Sequence, residues 1–218
     1  MTDGADKPYA ILCVCTGNVC RSPAAQLLLA ARLGSSVAVA SAGTLGLVGR
    51  PIEPPMAAHL TAMGLETAGF AARRLTVADV SSADLVLGLT RGHRAEAVEL
   101  APSAVRRAFT LLEFARLLRR IQPNELPPTS VADRLRAAVQ LAAARRRMGG
   151  GPVDADDVVD PYRLAPEVYN GSFSAIRSAV ETIADLVITH SPAGMTRGRT
   201  AGSRAPGRAS EFTREQFP

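Results

Sequence analysis

The sequence predicts an α/β fold, a parallel sheet covered on both faces by helices. Short apolar runs alternate along the chain with helical stretches, and parallel strands need crossover connections that helices usually supply. The composition agrees: 218 residues with 47% hydrophobic, 21% charged and 4% aromatic side chains are enough for one good-sized core without disulfide or metal staples.

Taken in order, residues 9–15 (YAILCVC) form an apolar run with β-branched members, which reads as a buried strand. A turn-like TGN follows. Ser22 and Pro23 then supply a helix N-cap and a first-turn proline, and the helix runs to Gly34. A second strand is expected over 37–40, a helix over 55–63 ended by Gly64, a third strand over 84–89 and a fourth over 108–112. Two further helices, 113–121 and 131–148, flank PNELPP; Ser130 opens the second with Asp133 in capping-box spacing. Their arginines, with the runs at 106–107, 119–120 and 145–147, are assigned to solvated faces, docking of an acidic phosphopeptide being the lesser option. Residues 149–171 read as a long loop of glycine, proline and aspartate, a length that marks a functional candidate. The last helix, 173–188, places Ile176, Val180, Ile183 and Val187 on one stripe. The expected organisation is a flexible leader (1–8), one domain (9–190) and a disordered basic tail (191–218).

Charge excludes little by itself. The net charge is +5, but beyond residue 190 five arginines face only Glu211 and Glu215, so most of the excess sits in the tail. With few aromatic stacking platforms as well, a nucleic-acid-binding role is weak. No apolar stretch approaches the roughly 20 residues of a membrane-spanning helix, and the polar start lacks a secretory layout, so a cytoplasmic protein without membrane insertion is expected. Cys13, Cys15 and Cys20 lie too close together for a disulfide framework and have no zinc-site spacing, and no metal is expected. His59, His93 and His190 are scattered without ligand spacing and are assigned no role.

The chemistry concentrates in Cys15-Thr-Gly-Asn-Val-Cys-Arg-Ser-Pro23, between a strand end and a helix start. Inward backbone N–H groups of such a loop, with the helix N-terminus, make a concave anion site. Gly17 and Asn18 are residue types that tolerate the left-handed backbone this nest requires. Arg21 offers a two-pronged guanidinium to two phosphate oxygens. Cys15, at the base of the cradle, is expected to be a thiolate nucleophile, since such surroundings lower a cysteine pKa from about 8.5 to roughly 3.5–7.5. The Ser22 hydroxyl can donate to that sulfur and ease its departure. Cys13 is read as core, turned away from the cradle in alternation with Cys15.

The segment resembles the low-molecular-weight protein tyrosine phosphatases, whose loop places cysteine, arginine, serine, glycine, asparagine and a second cysteine as here. The resemblance continues in Ser41-Ala-Gly-Thr44, in RRLT at 73–76 and in Asp160-Pro-Tyr162, and spans about residues 10–188. It implies a three-layer fold with a central four-stranded parallel sheet, and a phosphocysteine mechanism without metal or organic cofactor. Asp160 matches the family's acid, which would protonate the leaving oxygen and then serve as base for water. Thr16, Gly17, Asn18, Val19, Cys20 and Ser22 form the phosphate-binding loop in this match, Ser41 helps to brace it, and Tyr162, with Leu47, stands in the substrate wall. A reversible Cys15–Cys20 disulfide would shield the nucleophile from over-oxidation. Asp154, Asp156 and Asp157 are rivals of Asp160 by proximity alone.

The chain departs from the family pattern at Phe70 and Thr90, where histidine and aspartate are frequent, at Leu45 and Leu47, where an aromatic residue is common, and at Arg163. The stretch 118–154 is also longer than the usual connection. The expected substrate is a tyrosine-phosphorylated protein or a small aryl phosphate. Two alternatives use the same loop: a thiol-coupled arsenate reductase, which would need downstream cysteines that do not exist after Cys20, and a phosphotyrosine-binding module without turnover.

Overall fold

Strands β1 (Tyr9–Cys15), β2 (Val37–Gly43), β3 (Leu85–Gly88) and β4 (Ala108–Thr110) pair in the order β2-β1-β3-β4, every pair parallel. The computed structural model describes residues 8–150 and 153–188; positions 1–7 of the expected leader, His190 and the expected tail lie outside them. The helices are α1 (Arg21–Leu33), α2 (Pro54–Ala62), α3 (Val77–Ser82), α4 (Arg91–Leu100), α5 (Leu111–Leu118), α6 (Val131–Arg145) and α7 (Pro166–Ile188).

Strand alternation divides the core in two. Tyr9, Ile11, Cys13 and Cys15 point to one face, where Leu28 and Leu29 of α1, Leu60 of α2, Phe114 of α5, Leu135 of α6 and the α7 stripe Ile176, Val180, Ile183 and Val187 cover them. Leu12 and Val14 point to the other, covered by Val80 of α3 and Ala97 of α4. The result is the expected three-layer α/β arrangement. It also corrects the orientation expected of Cys13: residues two apart on a strand share a face, so Cys13 lies on the Cys15 side. It is core because it sits inside the strand, fully buried, and burial pushes its thiol pKa far up.

Several boundaries move for physical reasons. Helix α1 starts at Arg21 with Cys20 as its N-cap, which makes no side-chain capping bond, so Ser22 is not the cap and its hydroxyl is free for other work. Thr110 ends β4 two residues early by forming a capping box with Glu113 that opens α5. Residues 166–171, expected as loop, are the first turns of α7. Helices α3 and α4 had no sequence assignment; α4 buries only His93 and Ala97, so it carries almost no apolar stripe to read.

The arginines of α5 and α6 are not simply a solvated face. Arg134 is fully buried and donates to the carbonyls of Val187 (2.9 Å), Leu186 (2.8 Å) and Pro127 (2.9 Å), satisfying acceptors at the end of α7. Arg107 donates to the Ala83 and Ser103 carbonyls, both at 2.8 Å. Arg145 pairs with Glu125 at 2.8 Å. Arg146 holds the buried Glu113 carboxylate through two contacts of 2.8 Å while stacking over Phe109 at 3.9 Å. Among the described residues no helix is long and apolar enough to cross a membrane.

Candidate active site

The turn from β1 into α1 opens at the carboxyl ends of the strands, the usual ligand edge of an open α/β sheet. Its side chains line a cavity of about 230 Å³. Cys15 lies at the floor with Thr16, Gly17, Val19, Cys20 and Arg21 around it, and Leu45, Leu47, Asp160 and Tyr162 close the walls. Of the residues expected at the site, Cys15, Thr16, Gly17, Val19, Cys20, Arg21, Leu47, Asp160 and Tyr162 share this lining with Leu45, whereas Asn18, Ser22 and Ser41 are buried outside it.

Two polar groups converge on the Cys15 sulfur. The Asn18 backbone N–H reaches Sγ at 3.3 Å, and Ser22 Oγ stands 2.9 Å away. Asn18 Nδ2 donates to Ser22 Oγ at 2.9 Å, and the serine proton has two acceptors in reach, the sulfur at 2.9 Å and the Ala42 carbonyl at 3.5 Å. The same Asn18 amide donates to Ser41 Oγ at 2.8 Å, and Ser41 in turn donates to Gln26 Oε1 at 2.6 Å. Asn18 Oδ1 accepts the Arg73 N–H at 2.9 Å, so one buried side chain ties the loop to α1, β2 and the segment before α3.

The left-handed backbone expected of Gly17 and Asn18 falls on Asn18 alone, at φ 56°. Gly17 serves instead by its bareness at the pocket wall, and its carbonyl accepts the Leu47 N–H at 3.0 Å. Gly43 is the glycine that close approach demands: a Cβ there would stand 2.5 Å from the Thr16 carbonyl oxygen and 2.9 Å from the Asn18 nitrogen.

Arg21 is buried, and its guanidinium reaches three groups. Nη1 donates to the Val158 carbonyl at 3.2 Å, Nη2 approaches Thr16 Oγ1 at 3.5 Å, and Nη2 forms a short ion pair with Asp160. Its Nε is buried with no partner among the described residues. Asp160 is 48% exposed at its side chain and accepts the Tyr162 N–H at 3.2 Å. Of its three sequence rivals, Asp156 is buried against Arg116 and Asp157 pairs with Arg91, while the side chain of Asp154 lies outside those described.

Cys20 faces the pocket and shares a hydrogen bond with Tyr169; burial pushes its thiol up to about 12. Phe70 packs against the main core, and Thr90 caps α4 by accepting the His93 N–H at 3.3 Å. His59 stacks on Phe173 with ring centroids 4.8 Å apart. Among the described residues no group of three His, Cys, Asp or Glu side chains gathers as a metal site.

His93 is the site residue that sequence reasoning missed. Its Nε2 lies 2.9 Å from Thr16 Oγ1 in the turn between β1 and α1, and its Nδ1 lies 2.9 Å from Thr90 Oγ1. The threonine cap three residues ahead was a legible signal for the helix start; the contact with the loop, 77 residues away in sequence, was not. Burial first, and the Arg21 charge second, push the imidazole from 6.5 down to about 4, against the opposing pull of Asp160 and Asp157. Between those pH values the unfolded chain binds more protons at this group than the folded one, so its stabilising effect, complete above about 6.5, is lost as pH falls towards 4. We expect the thermal midpoint of the wild type to drop more between pH 7 and pH 5 than that of His93→Gln; equal drops would remove His93 from the acid response.

A model of the family described as "Low molecular weight phosphotyrosine protein phosphatase" matches residues 10–125, more than half of the chain. The low molecular weight protein-tyrosine-phosphatase Etp of Escherichia coli K12 is 41% identical over 96 residues, which are 44% of this chain and 64% of that protein. The chain thus aligns with less than two thirds of that relative's length. The protein-arginine-phosphatase of Geobacillus stearothermophilus is 38% identical over 107 residues, 49% of this chain and 72% of that protein. Among solved structures, the YwlE arginine phosphatase of Geobacillus stearothermophilus superposes with a TM-score of 0.60 at 27% identity, covering 84% of this chain and 94% of that one.

Proposed function

Since the chain belongs to the low molecular weight phosphotyrosine protein phosphatase family, we propose that it hydrolyses phosphotyrosine and related aryl phosphate monoesters through a phosphocysteine intermediate on Cys15. The observation that carries this reading is the convergence on one small cavity of a sulfur in hydrogen-bond reach of a backbone N–H and a hydroxyl, a buried guanidinium, and an accessible carboxylate.

The chemistry follows from those positions. Arg21 and the loop amides hold the nonbridging phosphate oxygens and neutralise charge as it spreads over them. The Cys15 sulfur attacks phosphorus in line as the bond to the phenolic oxygen breaks, and protonated Asp160 gives its proton to that leaving oxygen. In the second step the Asp160 carboxylate takes a proton from water, the water oxygen attacks phosphorus, and the S–P bond breaks. The Ser22 hydroxyl, aimed at Sγ, stabilises the departing thiolate. A bound phosphate competes with Asp160 for the Arg21 Nη2, so substrate entry releases the carboxylate towards the leaving group.

A second reading, cleavage of the P–N bond of phosphoarginine, is favoured by the Geobacillus stearothermophilus relative, which this chain covers more fully than the Escherichia coli one. The test is phosphate release from phosphotyrosine, phenyl phosphate and phosphoarginine at equal concentrations, with vanadate as competitor. Turnover of the two aryl esters with vanadate inhibition is expected. Turnover of phosphoarginine alone selects the second reading, and peptide retention without hydrolysis selects the binding module.

A further inference from the structure

The segment carrying Asp160 is held from behind by groups that the reaction itself never touches. Four residues before Asp160, the Asp156 carboxylate is buried at 3% exposure and receives both prongs of Arg116, Nε at 3.0 Å and Nη2 at 2.7 Å. The Asp156 carbonyl accepts the Thr110 hydroxyl at 2.9 Å, and Asp156 Oδ2 accepts the Val153 N–H at 2.8 Å. Thr110 is fixed by its capping box with Glu113, and Arg146, in the turn that ends α6, grips the Glu113 carboxylate. On the near side the Val158 N–H donates to the Leu89 carbonyl at 2.8 Å, and the Val158 carbonyl accepts from Arg21.

From this chain of contacts we propose that Arg116 and Asp156 are positioning residues for the general acid, and that α6 is the outer brace that keeps them in place through Arg146 and Glu113. The proposal rests on Asp160 acting as that acid. Two features single out the Arg116–Asp156 pair. Asp156 is one of the few buried carboxylates, and taking such a group out of water is costly unless it fixes something. The pair also joins α5 to a segment with no regular secondary structure at Asp160 itself, where a shift of about 1 Å in a catalytic group can cost roughly 10²-fold. The α6 segment, longer than the family's usual connection, thereby acquires a role at the site although it lines none of the pocket.

A positioning role differs from a purely structural one in its dependence on the leaving group. A phenol that leaves unaided needs no proton from Asp160, whereas one with a pKa near that of tyrosine, about 10, does. The experiment measures kcat/KM of the full chain on aryl phosphates from dinitrophenyl to phenyl phosphate, for wild type, Arg116→Gln, Arg116→Lys and Asp160→Asn. For Arg116→Gln we expect dinitrophenyl phosphate turnover within about twofold of wild type and a loss of roughly 10- to 100-fold on phenyl phosphate. Arg116→Lys, which keeps a cation against the buried carboxylate, is expected to show the same selective loss at smaller size, and it answers the question should the glutamine variant not fold. A loss that is uniform across the series, or no loss on phenyl phosphate, overturns the proposal. If Asp160→Asn steepens the dependence and the Arg116 variants do not, only the positioning role falls; if Asp160→Asn leaves it flat, the assignment of the acid falls and this inference with it.

Discussion

Replacement of Cys15 by serine is expected to abolish phosphate release, with kcat reduced by at least about 10⁴-fold on every aryl phosphate. The change exchanges one sulfur for oxygen and leaves the cradle intact, because the bracing runs through Asn18, Ser41 and Arg73 rather than through sulfur. Binding of phosphate or vanadate should therefore survive the loss of turnover, which separates a lost nucleophile from a collapsed loop. Measuring phosphate release beside equilibrium phosphate binding checks both halves. Retained turnover in Cys15→Ser would remove the phosphocysteine pathway, and loss of binding would show that sulfur holds the loop together.

Replacement of Asp160 by asparagine is expected to lower kcat on phenyl phosphate by about 10²- to 10⁴-fold, the usual contribution of a positioned acid or base. On dinitrophenyl phosphate, whose phenolate leaves without help, kcat/KM should fall far less, because it reports formation of the phosphocysteine and not its later hydrolysis, for which Asp160 is still needed. The variant also loses the ion pair with Arg21, so phosphate should bind at least as tightly as in the wild type. Weaker activity accompanied by weaker phosphate binding would mean that Asp160 serves chiefly to orient the guanidinium. The pH dependence of kcat/KM gives an independent check, because the limb that reports deprotonation of the acid should disappear.

The parts of the fold that were legible in the sequence were those where burial and chain period coincide. The β1 run and the α7 stripe could be read because nearly every apolar residue in them is core. Helix α4 could not, since its covering face is made of alanine and a histidine. The cradle was legible because its residue types are needed at fixed offsets within nine positions. His93 and the backbone of Arg73 were not, being 77 and 55 residues distant from the loop atoms they meet. Arginine was the residue most misread: composition alone cannot distinguish Arg134, buried on carbonyls, from Arg119 at the surface. Asp156 was misread in another way, since nearness in sequence to Asp160 suggested a competitor where the fold supplies an ion pair with Arg116.

Asp160 meets Arg21 across 139 positions of chain, whereas Cys15 and its immediate donors all lie within eight residues. In the proposed mechanism, nucleophile and proton source thus have separate genetic addresses. Under that mechanism, substitutions in the distal third would alter which leaving groups are expelled without touching the turn that holds phosphorus.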